Sequence, residues 1–290
     1  MNNWILAMRP KTLPAAVVPV WVGSVPVLTG QTGEFSWLIF ASTLIGCLCI
    51  QIATNLFNDA IDAEKGADTV DRLGPKRVTA SGLISRKAVL SVAVGFCVVG
   101  AIAAIPLILR HGWVPVAIGG ISFLLAYGYT GGPFPLAYRG MGELFVILFF
   151  GFVAVLGTFY MQTGKWSQSP MMIVALQTGF YSTVLIAINN MRDIEEDRRS
   201  GKKTLAARFG TKFARWEIGV FCFAPLFMWF LYGPVGGITV GALAVSFLLA
   251  SFITYHVFVR EPGEFYNKLL AVGALQLLNF AIWFTIWNWR

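Results

Sequence analysis

The chain has 290 residues, of which 57% are hydrophobic and only 12% are charged, and its formal net charge is +8. A soluble domain usually carries about twice this charged fraction, so the composition excludes an ordinary soluble fold. In a chain this apolar, the positive charge indicates basic loops on the cytoplasmic side of a membrane rather than nucleic-acid binding.

Apolar runs with almost no charge recur along the chain, and each is long enough to cross a bilayer core of about 30 Å. They predict an all-α integral membrane protein with nine transmembrane helices in a single domain, 1–290. The predicted spans are approximately 12–30, 37–57, 88–109, 113–129, 142–161, 170–189, 214–232, 237–259 and 268–288. No small-residue cleavage site follows the first run, so we interpret it as a retained span rather than a signal peptide.

The placement of basic residues tests this count of spans. With the N-terminus inside, all of the 22 Lys and Arg residues except Arg110, Lys165 and Arg290 lie in inner segments. This bias favours nine spans in the cell (inner) membrane, with a cytoplasmic N-terminus. The four cysteines lie inside apolar runs without metal-site spacing, and we interpret them as packing residues.

The first polar stretch, 51–77 (QIATNLFNDAIDAEKGADTVDRLGPKR), closes the second predicted span. If the helix continues through this stretch, a step of three or four residues places one set of side chains on a common face. That set comprises Gln51, Asn55, Asn58, Asp59, Asp62 and Gly66. Further candidate groups in or directly after the stretch are Asp68, Arg72, Lys76 and Arg77.

A second polar stretch, 189–210 (NNMRDIEEDRRSGKKTLAARFG), closes the sixth predicted span. Asn189, Asp193 and Asp197 again share a predicted helix face, and the cations of Arg192 and Lys202 are close in sequence. Both stretches follow spans that run from outside to inside. We therefore expect the two carboxylate clusters to open at the same, cytoplasmic, side of the membrane.

Two such clusters, each followed by cations, fit a site for Mg²⁺ and a diphosphate. Mg²⁺ takes oxygen ligands and is usually bound by one or two carboxylates together with substrate phosphates. Metal charge and Lys or Arg then neutralise a departing diphosphate. If the diphosphate carries an isoprenoid, the allylic cation left behind needs shielding from water and an aromatic face, for which Tyr129 is our candidate. The alternative for each cluster alone is a hydrated surface patch.

Two further inner segments are candidates for substrate contact. The Gly- and Pro-rich loop 129–143 (YTGGPFPLAYRGMGE) cannot form a continuous helix, and its backbone can approach a ligand closely. Arg9 precedes a proline at the opening of the first span. Because a bidentate Arg suits a carboxylate, Arg139 and Arg9 are our candidates for binding an anionic substrate group, with Arg139 preferred.

These motifs resemble those of the UbiA-type intramembrane aromatic prenyltransferases over essentially the whole chain. Asn58 and Asp62 match the NxxxDxxxD pattern of that family, although Gly66 stands where many members have a third Asp. This variant resembles the branch that prenylates 1,4-dihydroxy-2-naphthoate in menaquinone synthesis. The segments RPKTLP (9–14), GP (74–75), 129–143 and 189–210 suggest the same branch.

The resemblance implies a helical bundle around a central cavity, with two Mg²⁺ ions held at its cytoplasmic end. Asn58, Asp62, Asp193 and Asp197 would be metal ligands, and Asp59 and Asp68 would support them. The substrate-binding candidates are Asn55, Arg72, Lys76, Arg77, Arg192, Lys202, Arg139 and Arg9. The implied reaction joins the polyprenyl group of a polyprenyl diphosphate to dihydroxynaphthoate with loss of CO₂ and diphosphate, giving demethylmenaquinone.

Other acceptors within the family are the nearest alternatives: 4-hydroxybenzoate, homogentisate or a tetrapyrrole. The benzoate branch places a Lys after the Tyr of the fourth inner loop, whereas no Lys occurs between Tyr129 and Glu143. A transporter is disfavoured because the spans hold essentially no ionisable residue near mid-membrane. The expected partners are therefore the polyprenyl diphosphate, the aromatic acceptor and the lipid bilayer, with no nucleic acid and no oligomeric state assigned.

Overall fold

The computed structural model describes residues 2–67, 73–166, 169–233 and 236–289, and all regular secondary structure in these segments is helical. The helices are α1 (Asn3–Met8), α2 (Pro14–Leu28), α3 (Trp37–Glu64), α4 (Arg86–Ala103), α5 (Ile105–His111), α6 (Trp113–Gly128), α7 (Gly142–Val146), α8 (Gly157–Thr163), α9 (Ser169–Arg192), α10 (Ile194–Arg199), α11 (Leu205–Met228), α12 (Gly237–Val259) and α13 (Tyr266–Asn288). A π-helical segment, Ile147–Leu156, joins α7 to α8.

Seven helical segments within the described residues are long and apolar enough to cross a membrane, so the chain is a multi-pass membrane protein. They are Trp37–Glu64, Arg86–Ala103, Gly142–Thr163, Pro170–Arg192, Leu205–Leu231, Gly237–Val259 and Tyr266–Asn288. The first predicted span belongs to a pair, Asn3–Thr12 and Pro14–Leu28, that bends by 46°. The predicted span 113–129 is the shorter apolar helix Trp113–Gly128.

Local sequence explains where several of these helices begin and end. Side-chain oxygens of Ser36, Ser85 and Thr204 accept hydrogen bonds from backbone N–H groups in the first turns of α3, α4 and α11. The third predicted span, 88–109, is divided into α4 and α5, and Pro106 lies in the first turn of α5. A proline there leaves no N–H to continue the preceding helix, so α4 ends at Ala103.

The helix break at Asp193 changes one expectation from the sequence. Asn189 lies on α9 and Asp197 on α10, with Asp193 between them at φ −96° and ψ 14°. The backbone N–H of Asp193 still donates to the carbonyl of Asn189 at 3.1 Å, and that of Asp197 to the carbonyl of Asp193 at 2.8 Å. The three side chains therefore keep close to one face although they do not share one regular helix.

Helix α9 lies at the centre of the bundle. Over an apolar stretch of 18 residues in this helix, 72% of the residues are buried, compared with 44% or less over the corresponding stretches of the other six spans. It packs against the π-helical segment, α11 and α13. Glycines allow the close approach to the π-helical segment: a Cβ added at Gly151 would lie 2.5 Å from the carbonyl oxygen of Ala175 on α9. Small residues at such contacts are typical of helices that associate in membranes.

We predict that Gly151→Ala lowers the stability of the protein by about 1–3 kcal/mol, because the added methyl group meets backbone that cannot move aside. Gly95→Ala on the exposed face of α4 is the matched control, since no atom lies within 4 Å of a Cβ there. The apparent melting temperature in detergent measures both. Equal melting temperatures for the two variants would contradict the close packing of α9.

Candidate active site

A cavity of about 940 Å³ runs through the bundle and joins both polar stretches to an apolar interior. Its walls include Cys47, Phe123, Phe149, Val153 and Met161. Along α3 the lining extends from Ser42 to Asp62, which corresponds to about 30 Å at the rise of an α-helix. We call the charged end of this cavity the polar head; it comprises Asn58, Asp62, Arg77, Asp193, Asp197 and Lys202.

Asp62 connects the two polar stretches directly. Its Oδ2 accepts a hydrogen bond from Nζ of Lys202 at 2.8 Å, and its Oδ1 accepts one from the hydroxyl of Tyr138 at 2.9 Å. Nη2 of Arg77 lies 3.8 Å from the same Oδ2. The Asp62 side chain is only 3% exposed, so these three groups compensate a carboxylate that is almost removed from water.

Asn58, one turn before Asp62, contacts the Gly- and Pro-rich loop. Its Oδ1 accepts a hydrogen bond from the hydroxyl of Thr130. Lys65 donates from Nζ to the carbonyl of Thr130 at 2.6 Å and lies 4.2 Å from the centre of the Tyr138 ring. The end of α3 and the loop 129–143 are therefore held together beside the polar head.

In the second stretch, Arg192 is a structural partner of Asp193. Its Nε and Nη2 donate to the two carboxylate oxygens of Asp193, each at 2.7 Å, and Nη1 donates to Oδ1 of Asn267 at 2.8 Å. The Arg192 side chain is 1% exposed. Asp197 accepts from the hydroxyl of Thr204 at 3.1 Å. Arg192 thus orients a predicted metal ligand, and its donor groups are already engaged within the protein.

Two candidates on α3, Asp59 and Asn55, are occupied in holding neighbouring segments. The carboxylate of Asp59 accepts from the backbone N–H groups of Val78 and Thr79 at 3.2 and 2.9 Å, and this anchors the segment directly after Arg77. The amide of Asn55 donates to the carbonyl of Met8 and to the hydroxyl of Thr12, both at 3.0 Å. Each therefore positions a neighbouring basic segment.

The contact from Asn55 supports an unusual turn at Arg9. The hydroxyl of Thr12 donates to the carbonyl of Arg9 at 2.9 Å, and Arg9 adopts φ 53° and ψ 68°. It is the one non-glycine residue with positive φ in the described part of the chain. Such a conformation is strained for a side-chain-bearing residue and persists where the surrounding contacts enforce it. Here the turn leaves Arg9 lining the cavity.

Arg139, which we preferred from the sequence for binding an anionic substrate group, lies outside the cavity. Its guanidinium is exposed and lies 3.5 Å from the centre of the Phe134 ring. Arg139 is not one of the described residues that line the cavity. Stacking on an exposed aromatic ring turns it away from the bundle. Lys76 lines the cavity mouth and is exposed. Asp68 and Arg72 lie outside the described residues.

Tyr129 lies directly after the last residue of α6 and lines the cavity. Burial raises the pKa of its phenol far above the usual range, and the negative charges of Glu143, Asp197 and Asp62 raise it further, with Arg9 opposing them. The phenol therefore stays protonated and is a hydrogen-bond donor.

The sequence did not single out Glu143 and Asn190 as a pair, although each lies within a motif that it highlighted. Nδ2 of Asn190 donates to Oε1 of Glu143 at 2.7 Å, and both residues line the cavity. The available signal was an isolated carboxylate at the start of a long apolar run. The partner across the bundle could be found only from the fold.

The donor set of the polar head fits Mg²⁺ that is shared with a phosphate ligand. The described residues contain no group of three or more His, Cys, Asp or Glu side chains arranged to hold a metal by themselves. The head instead offers one amide and three carboxylate groups, on Asn58, Asp62, Asp193 and Asp197. Mg²⁺ is usually bound in this way, by one or two carboxylates together with substrate phosphates and water.

A charged head on an apolar cavity, inside a bundle of membrane-spanning helices, defines a membrane-embedded enzyme that acts on an amphipathic, anionic substrate. The UbiA prenyltransferase family model matches residues 16–270, and the chain belongs to this family of prenyltransferases.

Relatives of known activity agree with this assignment. The chain is 37% identical over 218 residues to 1,4-dihydroxy-2-naphthoate octaprenyltransferase of Escherichia coli (strain K12), covering 73% of this chain and 70% of the relative. It is 34% identical over 249 residues to the protein of the same name from Bacillus subtilis (strain 168), covering 85% and 76%. It is 30% identical to 2-carboxy-1,4-naphthoquinone phytyltransferase of a Synechocystis strain, covering 72% and 66%.

Solved structures show the same fold. A UbiA homologue from Archaeoglobus fulgidus, bound to GPP and Mg²⁺, superposes with a TM-score of 0.70 over 99% of both chains at 14% identity. A UbiA homologue from Aeropyrum pernix K1 superposes with a TM-score of 0.67 over 94% of this chain and 96% of the other, at 17% identity.

Proposed function

We propose that this protein transfers a polyprenyl group from a polyprenyl diphosphate to 1,4-dihydroxy-2-naphthoate, with loss of CO₂ and diphosphate, and forms demethylmenaquinone in its reduced state. The observation that carries the proposal is the contact between Asp62 and Lys202, because it brings the two polar stretches together at one end of an apolar cavity. The names of the bacterial relatives support the choice of acceptor.

The polar head would hold two Mg²⁺ ions, with Asn58 and Asp62 on one side and Asp193 and Asp197 on the other. Bound Mg²⁺ supplies positive charge that stabilises the departing diphosphate. Lys202 and Arg77 add fixed positive charge at the same place, and Lys76 adds a third, exposed positive charge at the cavity lining. The apolar walls keep water away from the allylic cation, and the ring of Tyr129 offers it an aromatic face.

A direct assay tests the reaction and its acceptor. We predict that the purified protein with Mg²⁺, a polyprenyl diphosphate and carboxyl-labelled dihydroxynaphthoate forms a prenylated naphthoquinol and releases labelled CO₂. EDTA should abolish both products, because the diphosphate cannot leave without the metal charge that stabilises it. Prenylation of 4-hydroxybenzoate, homogentisate or a tetrapyrrole alone would contradict the proposed acceptor, and movement of a substrate across proteoliposomes without covalent turnover would contradict the enzyme.

Three variants test the proposed metal site in this assay. Asp62→Ala, Asp193→Ala and Asp197→Ala should each lower turnover by orders of magnitude, since each removes charge worth several kcal/mol at the transition state. Size-exclusion chromatography in detergent reports whether each variant remains folded. Rates like those of the wild type in any two of them would mean that the metal site lies elsewhere.

We also propose nine spans with the N-terminus and the polar head on the cytoplasmic side. This adds the bent pair and α6 to the seven spans above, and the bias of basic residues toward one side supports it. On a background without the four native cysteines, Lys165→Cys should react with a membrane-impermeant maleimide in intact cells. Arg199→Cys should react only after permeabilisation. The reverse pattern would invert the topology.

For the acceptor carboxylate we propose Arg9 in place of Arg139, because Arg9 lines the cavity. A guanidinium can bind a carboxylate through two parallel hydrogen bonds, which a lysine cannot reproduce. We predict that Arg9→Lys raises the KM for the acceptor by about tenfold, equivalent to about 1.4 kcal/mol, and leaves the KM for the prenyl diphosphate nearly unchanged. Arg139→Lys is the exposed control and should change neither value. An Arg9→Lys effect confined to the diphosphate would assign Arg9 to the leaving group.

A further inference from the structure

Glu143, the second residue of α7, is buried, and one of its two carboxylate oxygens accepts no hydrogen bond from the described residues. Its side chain is 3% exposed and lines the cavity. Oε1 accepts the hydrogen bond from Asn190, whereas Oε2 has no hydrogen-bond partner within the described part of the chain. A buried carboxylate oxygen without a partner is costly, so its retention at a cavity wall points to a ligand that supplies the missing donor.

Glu143 lies between Tyr129 and the second polar stretch. A Cβ added at the preceding residue, Gly142, would lie 3.0 Å from the phenol oxygen of Tyr129, so the start of α7 lies closely against that residue. Asn190 lies on the last turn of α9, shortly before the predicted metal ligand Asp193. Glu143 therefore occupies the wall between Tyr129 and the second polar stretch, where the charged head meets the apolar interior.

We propose that Oε2 of Glu143 accepts a hydrogen bond from a ring hydroxyl of the aromatic acceptor and takes up the proton of that hydroxyl during prenyl transfer. The hydroxyl is the one on the ring carbon next to the carbon that bears the carboxylate. This assignment rests on the proposed function and extends it with a binding site for the acceptor ring and a general base. Asn190 is a positioning residue, since its amide donates to Oε1 and leaves Oε2 without a donor among the described residues.

The chemistry of CO₂ loss selects this hydroxyl. The C–O bond to diphosphate breaks first, with its electron pair leaving on the diphosphate, and the ring carbon that bears the carboxylate then attacks the allylic cation to form a C–C bond. The O–H bond of the adjacent hydroxyl breaks, a ketone forms there, and the proton moves to Glu143. That ketone is the electron sink that decarboxylation needs.

The second half of the reaction returns the proton. The bond between the ring and the carboxylate breaks, CO₂ leaves, and the electron pair of the bond converts the ketone into an enolate. The enolate oxygen takes the proton back from Glu143, which restores the aromatic hydroquinone. The sequence consumes no oxidant and no net proton, so a single carboxylate serves as base and then as acid.

Kinetics of three variants test the role. Glu143→Gln keeps the size of the side chain and the bond from Asn190 but replaces the free acceptor oxygen with a donor. We predict that it raises the acceptor KM by about tenfold and lowers kcat by about 100-fold, with the KM for prenyl diphosphate within about twofold of wild type. Glu143→Asp should recover part of kcat because it retains a carboxylate. An unchanged kcat and acceptor KM in Glu143→Gln would overturn the proposal.

Glu217→Gln is the matched control. Glu217 on α11, which lies within electrostatic reach of Glu143, also has a buried carboxylate oxygen without a hydrogen-bond partner among the described residues, yet it is not one of the residues that line the cavity. This variant should leave both KM values and kcat within about twofold of wild type. Equal kinetic losses in Glu217→Gln and Glu143→Gln would show a general effect of buried charge and would overturn a specific role for Glu143.

A binding measurement separates this proposal from the proposed function. In EDTA, quenching of naphthoate fluorescence should show that the wild type binds 1-hydroxy-2-naphthoate about tenfold more tightly than 2-naphthoate. Glu143→Gln should bind the two equally. A preference that survives in Glu143→Gln, or an equal loss of affinity for both compounds, would overturn the role of Glu143. If the wild type does not turn over dihydroxynaphthoate, the proposed function fails. The binding comparison still decides whether Glu143 accepts a hydrogen bond from the hydroxyl.

Discussion

The ion pair between Asp62 and Lys202 is the interaction on which the rest of the site depends. The two residues are separated by 140 positions in the sequence and are 3% and 14% exposed. Removing two charges from water costs several kcal/mol for each ion, so a buried pair is weak evidence for stability alone. Its value here is geometric, because it joins the end of α3 to the segment after α10. The contact thereby links the first polar stretch directly to the second.

Cations in or beside the polar head compensate two of its carboxylates. Asp62 lies against Lys202 and Arg77, and Asp193 lies against Arg192. In the proposed reaction, metal ions bring positive charge toward the carboxylates while the diphosphate brings negative charge toward Lys202 and Arg77. The net charge of the buried head then changes little when substrate and metal enter together.

Residues on one helix face have three separate tasks in this protein. Asn55 supports the turn at Arg9, Asp59 anchors the segment after Arg77, and Asp62 reaches the polar head. Their spacing is helical and could be read from the sequence, but their tasks depend on what packs opposite each of them. A motif of acidic and amide residues therefore combines candidate ligands with the supports that hold the neighbouring cations in place.

The sequence by itself determined the helical membrane class, the two polar stretches and the family, because apolar runs, helical spacing and acidic motifs are properties of short segments. Tertiary structure alone decided that Arg9 faces the cavity while Arg139 stacks on Phe134 outside it. It likewise decided that the Arg192 guanidinium is paired with Asp193, and that one carboxylate oxygen of Glu143 has no hydrogen-bond partner among the described residues. The physical reason is that the availability of a charged group depends on burial and on partners distant in the sequence, which periodicity along one helix does not encode.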